Sequence, residues 1–342
     1  MHLGVSHLTE KLESQSEPAL WAEVIEQTEY AELLGFESVW VTEHHFDFDY
    51  ALLPNPLTAL VKLGCHAKRM RLGCAVVVLP LWHPIRVAEE AALADIFTNG
   101  RIDLGLGSGY AQYEFDVFQE SLDERREKFQ EGLQIVTRAL TEERFAHEGK
   151  YYRFPEVTVF PRPVQRPLPI WMTAVSPGTA ALAGRLGHRI IVASTLGGLS
   201  QLKTLIDEYR RAYAEAGHDP AGLGVQLNRF VYVADSAAEA RRDTEWATVR
   251  FQRRQARFFG ASLGMTPDEV TYERFERENL THGSPEECVE NLRTVQRELG
   301  LTHLLCRFRT AGVEHRKVMR AMERFAAEVR PHLTPEPAGT PV

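Results

Sequence analysis

The sequence predicts an α/β fold in which eight strand–helix units close into a (β/α)8 TIM barrel. Short runs of β-branched and apolar residues alternate with amphipathic helical stretches almost from end to end, which is typical of a parallel sheet covered by helices. The chain has 342 residues, 44% of them hydrophobic, a size at which such a barrel forms one domain. We expect an insertion after the fourth unit and a mobile loop region before the eighth strand.

The first half of the chain contains four of these units. Ser16 is the expected N-cap of the first helix, Pro18 lies in its first turn and Gly35 ends it. Later helices are predicted to begin at Pro84 and to cover residues 123–140. The predicted strands of this half cover residues 3–8, 36–41, 70–79 and 101–106.

A proline-rich segment over residues 141–169 interrupts the alternation. Its prolines restrict both helix and interior strand, so we interpret it as an insertion on the barrel. The remaining predicted strands cover residues 170–175, 189–194, 225–234 and 303–308, and a helical stretch follows each of them.

Residues 236–299 carry more helix than one crossover needs, and Gly260, Gly264 and Gly283 punctuate them. We expect a mobile lid over the barrel mouth here. The barrel domain is predicted to cover residues 1–333, and the proline-rich tail at 334–342 is predicted to be disordered.

An open, doubly wound sheet with a dinucleotide site is the alternative arrangement of eight such units. Gly105, Gly107 and Gly109 follow a predicted strand, but position 110 is a tyrosine where the G-x-G-x-x-G pattern requires its last glycine. The glycines therefore disfavour this alternative.

The composition excludes several classes of partner. With 39 basic and 47 acidic residues the net charge is -8, and without a basic stripe we expect no nucleic-acid partner. The first residues lack signal-peptide character, and no apolar run approaches the roughly 20 residues of a membrane span, so we expect a cytoplasmic protein with no membrane partner. The four cysteines are scattered singly, which indicates reduced thiols.

Glu43, His44 and His45 follow the second predicted strand, and catalytic groups of barrels lie at the ends of their strands. Imidazole and carboxylate groups together can move protons near neutral pH. Hydrogen-bonded spacers and metal ligands are the alternatives for these histidines. We expect no metal site, because no second His/Asp/Glu cluster shows ligand spacing.

Four blocks of sequence carry a family resemblance. They are GFESVWVTEHHF at 35–46, VLP followed by HP within 78–84, GRIDLG at 100–105 and GSPEEC at 283–288. In these blocks, which span nearly the whole chain in order, the sequence resembles the bacterial-luciferase family of flavin-dependent monooxygenases. The family's fold is a (β/α)8 barrel with a mobile loop, in agreement with the pattern of strands and helices.

The resemblance implies a binding site for FMN, taken up as FMNH2. Val175, Ser176 and Thr179 end a predicted strand and start a helix, where free N–H groups and the helix dipole favour an anion. An ordinary serine N-cap is the alternative from the residues alone. By resemblance, Ser176 and Thr179 hold the FMN phosphate.

The sequence departs from luciferase at two positions of this phosphate site. Val175 stands in place of a glutamate, and Ser108 stands in place of an arginine that meets the phosphate. Arg125 or Arg126 must then supply positive charge, and the Arg-x-x-Lys-x-x-Glu spacing found in relatives favours Arg125.

The resemblance also implies a non-proline cis peptide bond between Ala75 and Val76, which presses against the flavin ring. A plain buried strand is the alternative interpretation. Gly107 stands in place of the cysteine that luciferase positions near the flavin.

The implied function is that of a two-component FMN-dependent monooxygenase. A separate flavin reductase supplies FMNH2, and O2 gives a flavin 4a-hydroperoxide that oxygenates a small apolar or aromatic substrate. By resemblance, His44 is the acid–base group, His45 orients the loop, and the chain forms a homodimer through outer helices. Candidate aromatic residues for a substrate pocket, with core packing as the alternative, are Phe46, Phe48, Tyr50, Trp82 and Tyr110.

Two other functions stay open. A deazaflavin-dependent dehydrogenase of the same superfamily would use the same barrel mouth, and the departures at Val175 and Ser108 leave room for it. A non-catalytic flavin-binding subunit would stabilise a partner chain. The presence of His44 disfavours the subunit, because the non-catalytic luciferase subunit lacks this histidine.

Overall fold

The eight predicted units form a closed parallel barrel in a computed structural model that describes residues 1–193, 198–263 and 266–333. Each barrel strand pairs with the next one along the chain, the fourth pairs with the fifth, and the last pairs with the first. The predicted TIM barrel is therefore confirmed. Its strands are β1 (His2–His7), β2 (Ser38–Val41), β3 (Arg71–Cys74), β4 (Ile102–Gly107), β5 (Ile170–Thr173), β6 (Arg189–Ala193), β7 (Val225–Val233) and β8 (His303–Arg307).

Helices surround the barrel, and the first of them begins as predicted, with the Ser16 hydroxyl accepting a hydrogen bond from the Ala19 N–H. The α-helices of the described part of the chain are α1 (Glu17–Leu33), α2 (Pro56–His66), α3 (Pro84–Phe97), α4 (Gln112–Phe118), α5 (Arg125–Thr141), α6 (Pro177–Arg185), α7 (Leu199–Glu215), α8 (Ala237–Leu263), α9 (Tyr272–Asn279), α10 (Pro285–Leu299) and α11 (His315–Arg324).

The insertion after the fourth unit is present. It contains an antiparallel hairpin of Phe145–Glu148 and Arg153–Val157. The region before β8 holds α8, α9, α10 and a short strand, Leu280–Gly283, which pairs with the end of β7. The extra helix predicted there is confirmed, while its mobility stays a prediction. The predictions that involve Ser194, Gly264 and the tail at 334–342 fall outside the described residues.

The strand prediction over 70–79 is wrong in one respect, because two strands occupy this run. After β3 the Ala75–Val76 peptide bond is cis, and the chain resumes as a short strand, Val77–Val78, beside the end of β4. The hairpin of His44–Asp47 with Ala51–Leu53, and α2 behind it, are also absent from the sequence prediction.

Two large rings pack against each other inside the barrel, and a glycine makes room for one of them. Trp40 and Trp171 meet edge to face, with ring centroids 5.4 Å apart. A Cβ atom at Gly73 would lie 2.3 Å from the Trp40 ring, so this position requires glycine. The two rings belong to one buried cluster with Val76, Ile191 and Leu305. Among the described residues, no helix combines the length and the apolar character needed to cross a bilayer.

Acid should destabilise the fold through His7, which faces α1 from β1. Its Nε2 lies 3.2 Å from the Thr28 hydroxyl, which itself donates to the Val24 carbonyl, and its Nδ1 has no partner among the described residues. Burial, assisted by the charge of Arg309, lowers the pKa of His7 from 6.5 to about 3.

We expect the free energy of unfolding to fall as the pH drops from 6.5 toward 3, because only the unfolded chain then binds this proton. One such histidine contributes up to ~1.4 kcal/mol per pH unit. Urea unfolding across this range checks the prediction, since His7→Gln should show a shallower dependence on pH than the wild type. Equal slopes would contradict it.

Candidate active site

His44 lies in a buried hydrogen-bond chain at the C-terminal ends of the barrel strands. Its Nδ1 is 3.0 Å from Oε1 of Glu114 in α4, and its Nε2 is 2.9 Å from the hydroxyl of Tyr110. The Tyr110 hydroxyl lies 2.5 Å from that of Tyr50. Both ring nitrogens of His44 therefore have a hydrogen-bond partner within this cluster.

The ionisation of Glu114 decides which His44 nitrogen donates a hydrogen bond and which one faces Tyr110. Burial would raise the pKa of Glu114, but the hydrogen bond and charge of His44 and the N–H of His45 hold it below its ordinary value. Burial and the neighbouring Tyr50 raise the pKa of Tyr110 well above its ordinary value. Because an ionised Glu114 only accepts hydrogen bonds, Nδ1 of His44 is the donor to this carboxylate, and Nε2 is the nitrogen that faces the Tyr110 hydroxyl.

His45 occupies a separate and equally buried position. Its Nε2 lies 3.0 Å from Oε1 of Glu43, while Oε2 of Glu43 accepts from the Val78 N–H at 2.8 Å and Oε1 accepts from the Trp82 indole at 2.9 Å. Glu43 and His45 thus tie the segment after β2 to the segment after β3. Among the described residues, no group of His, Cys, Asp and Glu side chains has the arrangement of a metal site.

The floor of the site is built at the ends of β3 and β4. The Ala75–Val76 bond is cis, as the resemblance implies. A Cβ atom at Gly107 would lie 2.5 Å from Cγ2 of Val76 and 2.9 Å from Oγ1 of Thr173. Ala75, Val76 and Gly107 are therefore brought together, and a cysteine at 107 would not fit this backbone.

The helix start predicted to bind phosphate lies at the same end of the barrel. Ser176 caps α6 by accepting from the Thr179 N–H at 3.3 Å, and the Thr179 hydroxyl accepts from the N–H groups of Ser176 and Val175. The N-cap interpretation of Ser176 is therefore confirmed. Phosphate binding stays a prediction, and the N–H groups of Val175, Ser176 and Thr179 donate within the cap. A Cβ atom at Gly178 would have no neighbour closer than the Ser176 hydroxyl at 4.0 Å, so space is open beside the helix start.

The two arginines predicted to supply positive charge to the phosphate lie at the start of α5. Arg125 is half-buried and donates to the Leu122 carbonyl at 2.6 Å, whereas Arg126 is exposed. No hydrogen bond within the described residues joins Arg125 to Ser176 or Thr179. Ser108, directly after β4, is half-buried.

Helix α8 covers the mouth of the barrel. Phe251 stacks on Tyr50 with ring centroids 5.6 Å apart, and Nε of Arg254 donates to Asp47 at 2.7 Å. The five aromatic residues predicted to line one pocket are divided between different surroundings. Tyr50 and Tyr110 join the covered cluster, Trp82 binds Glu43, and the rings of Phe46 and Phe48 are exposed.

Sequence reasoning does not identify Glu114, and it treats Tyr110 only as a pocket lining. Glu114 lies 70 residues beyond His44 on a short helix, so no local pattern connects the two. The one signal in the sequence was that Glu114 stands next to apolar and aromatic residues, where a carboxylate is expected to have a specific partner.

Comparisons of the sequence with known protein families and with characterised proteins agree with the barrel fold. The family model for luciferase-like monooxygenases matches residues 1–303. The oxygenase component of the flavin-dependent trigonelline monooxygenase of Acinetobacter baylyi is 31% identical over 237 residues, which are 68% of this chain and 65% of that protein. The F420-dependent glucose-6-phosphate dehydrogenase of Segniliparus rotundus is 27% identical over 320 residues, 91% of this chain and 93% of that protein.

A solved structure extends the likeness to the backbone. The crystal structure of monooxygenase RslO1 from Streptomyces bottropensis matches 98% of this chain and 100% of its own, with a TM-score of 0.88 and 28% identity. Fold and relatives together define an oxidoreductase of the (β/α)8 barrel class. The chain belongs to the luciferase-like monooxygenase family.

Proposed function

We propose that this protein is the oxygenase component of a two-component monooxygenase, which uses FMNH2 and O2 to oxygenate a small apolar or aromatic molecule. The observation that carries the proposal is the buried chain from Glu114 through His44 to Tyr110, at the barrel end where enzymes of this fold act. The trigonelline relative, named as an oxygenase component, supports a separate reductase as partner.

The residues present fit FMN. Gly107 leaves the floor of the site without a side chain, and the open space at Gly178 leaves room at the start of α6. We propose that Ser108, Val175, Ser176, Thr179 and Arg125 surround the phosphate, and that Ala75, Val76 and Gly107 meet the ring. Bound FMNH2 supplies the two electrons that activate O2.

The chain's own residues would then control protons and water. Glu114 would hold a proton on Nδ1 of His44, so that Nε2 could exchange protons with a reacting group through its hydrogen bond to the Tyr110 hydroxyl. His45 and Glu43 keep this segment in place. Helix α8 excludes water from the mouth, which protects a reactive oxygen species from hydrolysis and premature loss.

The phosphate site predicts a difference between two adjacent arginines. Arg125→Ala should weaken FMNH2 binding by about 1.5–3 kcal/mol, because a charge-assisted contact is lost. Arg126→Ala is the matched control and should bind like the wild type, since its side chain is exposed. Anaerobic titration measures both affinities. Equal binding by Arg125→Ala, Ser176→Ala, Thr179→Ala and the wild type would contradict the assignment.

A homodimer is also proposed, because α3 presents apolar side chains outward. Leu93, Ile96 and Phe97 are exposed on this helix, and such a patch favours burial against a partner. Light scattering at micromolar concentration should show a dimer for the wild type and a monomer for Phe97→Asp. A monomeric wild type would contradict the proposal.

The second candidate is an F420-dependent dehydrogenase, which the likeness to the Segniliparus enzyme supports. Anaerobic titration with each reduced coenzyme separates the two functions. We expect FMNH2 to bind at least tenfold more tightly than reduced F420, and the opposite order would favour the dehydrogenase. We propose a cytoplasmic location, where a reductase supplies FMNH2.

A further inference from the structure

Three polar side chains on the barrel strands face the interior of the barrel. They are Ser6 on β1, Thr173 on β5 and Asn228 on β7. Their partners in register on the neighbouring strands all belong to the buried cluster inside the barrel, and these partners are Trp40, Ile191 and Leu305. Because residues in register on parallel strands point to the same side of the sheet, the three polar side chains also point inward.

These residues form the layer of the barrel interior that borders the candidate active site. Ala75, directly after β3, completes a set with one residue from each odd-numbered strand, and four side chains from alternate strands are the composition of a barrel layer. Thr173 comes two residues after Trp171, so the layer lies on the C-terminal side of the tryptophan pair. Bulky branched residues dominate such layers in most barrels. Small and polar side chains here leave space at the floor of the site.

Two polar groups of this layer have no hydrogen-bond partner within residues 1–193, 198–263 and 266–333. The Ser6 hydroxyl donates to Oδ1 of Asn228 at 3.0 Å, and this contact orients the amide so that its Nδ2 group is left without an acceptor. The Thr173 hydroxyl is the second such group. Both Asn228 and Thr173 are half-buried, so their polar atoms are accessible to a molecule bound in the barrel mouth.

We propose that Asn228 and Thr173 bind the pyrimidine edge of the flavin ring. This inference rests on the proposed function, in which the ring meets Ala75, Val76 and Gly107. Ala75 belongs to the same layer, so a ring that rests on it lies next to both groups. The pyrimidine edge has a carbonyl oxygen on each side of an N–H group. The Asn228 amide can donate to a carbonyl, and the Thr173 hydroxyl can donate to the other carbonyl or accept from the N–H.

Asn228→Asp tests this contact with little change of shape. The Ser6 hydroxyl can still donate to the new carboxylate, but an acceptor replaces the N–H groups and would face a flavin carbonyl. Fluorescence titration should show roughly tenfold or greater weakening of FMN binding, and Thr173→Val should show a smaller loss. Asn99→Asp is the matched control, because Asn99 is an exposed turn residue at the other end of the barrel and aspartate tolerates its positive φ of 56°. It should bind FMN like the wild type.

A flavin analogue tests the same contact in the wild-type protein and decides the matter if Asn228→Asp does not fold. 3-Methyl-FMN carries a methyl group on the nitrogen of the pyrimidine edge, so we expect it to bind roughly tenfold or more weakly than FMN. Equal affinity for the two flavins, or unchanged FMN affinity in a folded Asn228→Asp, would overturn the inference and leave the proposed function standing. A wild type that binds neither FMN nor FMNH2 would overturn both, so the two failures are distinguishable.

Discussion

Replacing His44 with alanine should lower the rate of substrate oxygenation about 10²–10⁴-fold, the usual contribution of general acid–base catalysis. His44 joins the ionised Glu114 to the Tyr110 hydroxyl, so alanine removes the imidazole that connects these two groups. FMNH2 binding should stay unchanged, because the proposed phosphate contacts lie on α5 and α6. More hydrogen peroxide should be released for each FMNH2 oxidised, and a peroxide assay combined with oxygen uptake measures this coupling.

Two control variants separate proton transfer from architecture. Tyr110→Phe keeps the ring but removes the hydroxyl, and we expect part of the His44→Ala loss with FMNH2 binding retained. His45→Ala should instead lower stability by about 1–3 kcal/mol, because Glu43 loses a partner while buried. If the His44→Ala enzyme couples FMNH2 oxidation to substrate oxygenation as well as the wild type does, the hydrogen bonds from Glu114 through His44 to Tyr110 do not control the reaction.

Replacing Gly105 with alanine should destabilise the protein by about 3 kcal/mol, the upper part of the usual range for overpacking. A Cβ atom at 105 would lie 1.8 Å from the carbonyl oxygen of Cys74 and 3.3 Å from Cγ1 of Val76. The first neighbour is backbone at the end of β3, so it cannot rotate away. The floor of the site must therefore move if the side chain is added.

Gly178→Ala is the matched control for this substitution. A methyl group there has no neighbour closer than 4.0 Å, and its effect on stability should be small. Urea unfolding of both variants measures the difference in the free energy of unfolding. Similar stabilities for the two variants would contradict the close approach of β3 and β4.

The barrel is predictable because alternating apolar runs and helix caps are local features. Ser16 and Gly35 mark the bounds of α1 as expected. Helix α2 carries the same kind of signal, with Asn55 as N-cap and Pro56 at its first position, although the sequence analysis does not use it. The pattern of apolar residues cannot predict the break between two strands inside residues 70–79. An apolar run has the same composition whether the backbone continues straight or turns.

The site is less predictable than the fold, because its contacts are distant in sequence. Family resemblance identifies His44 and the cis bond at Ala75–Val76, whereas the carboxylate that orients His44 comes from Glu114 on another unit. The pairing of both His44 nitrogens follows only from the way α4 packs against the segment after β2. Local pattern supplies residue types, and tertiary packing decides which of them meet.

The most direct test of the proposed function is stopped-flow absorbance of the FMNH2-loaded protein mixed with oxygenated buffer. We predict an absorbing species that forms with a rate dependent on oxygen concentration and persists before oxidised FMN appears. His44→Ala should shorten its lifetime. If FMNH2 is oxidised at the same rate with and without the protein, while oxidised F420 is reduced by an alcohol in its presence, the protein is a dehydrogenase and the monooxygenase proposal is wrong.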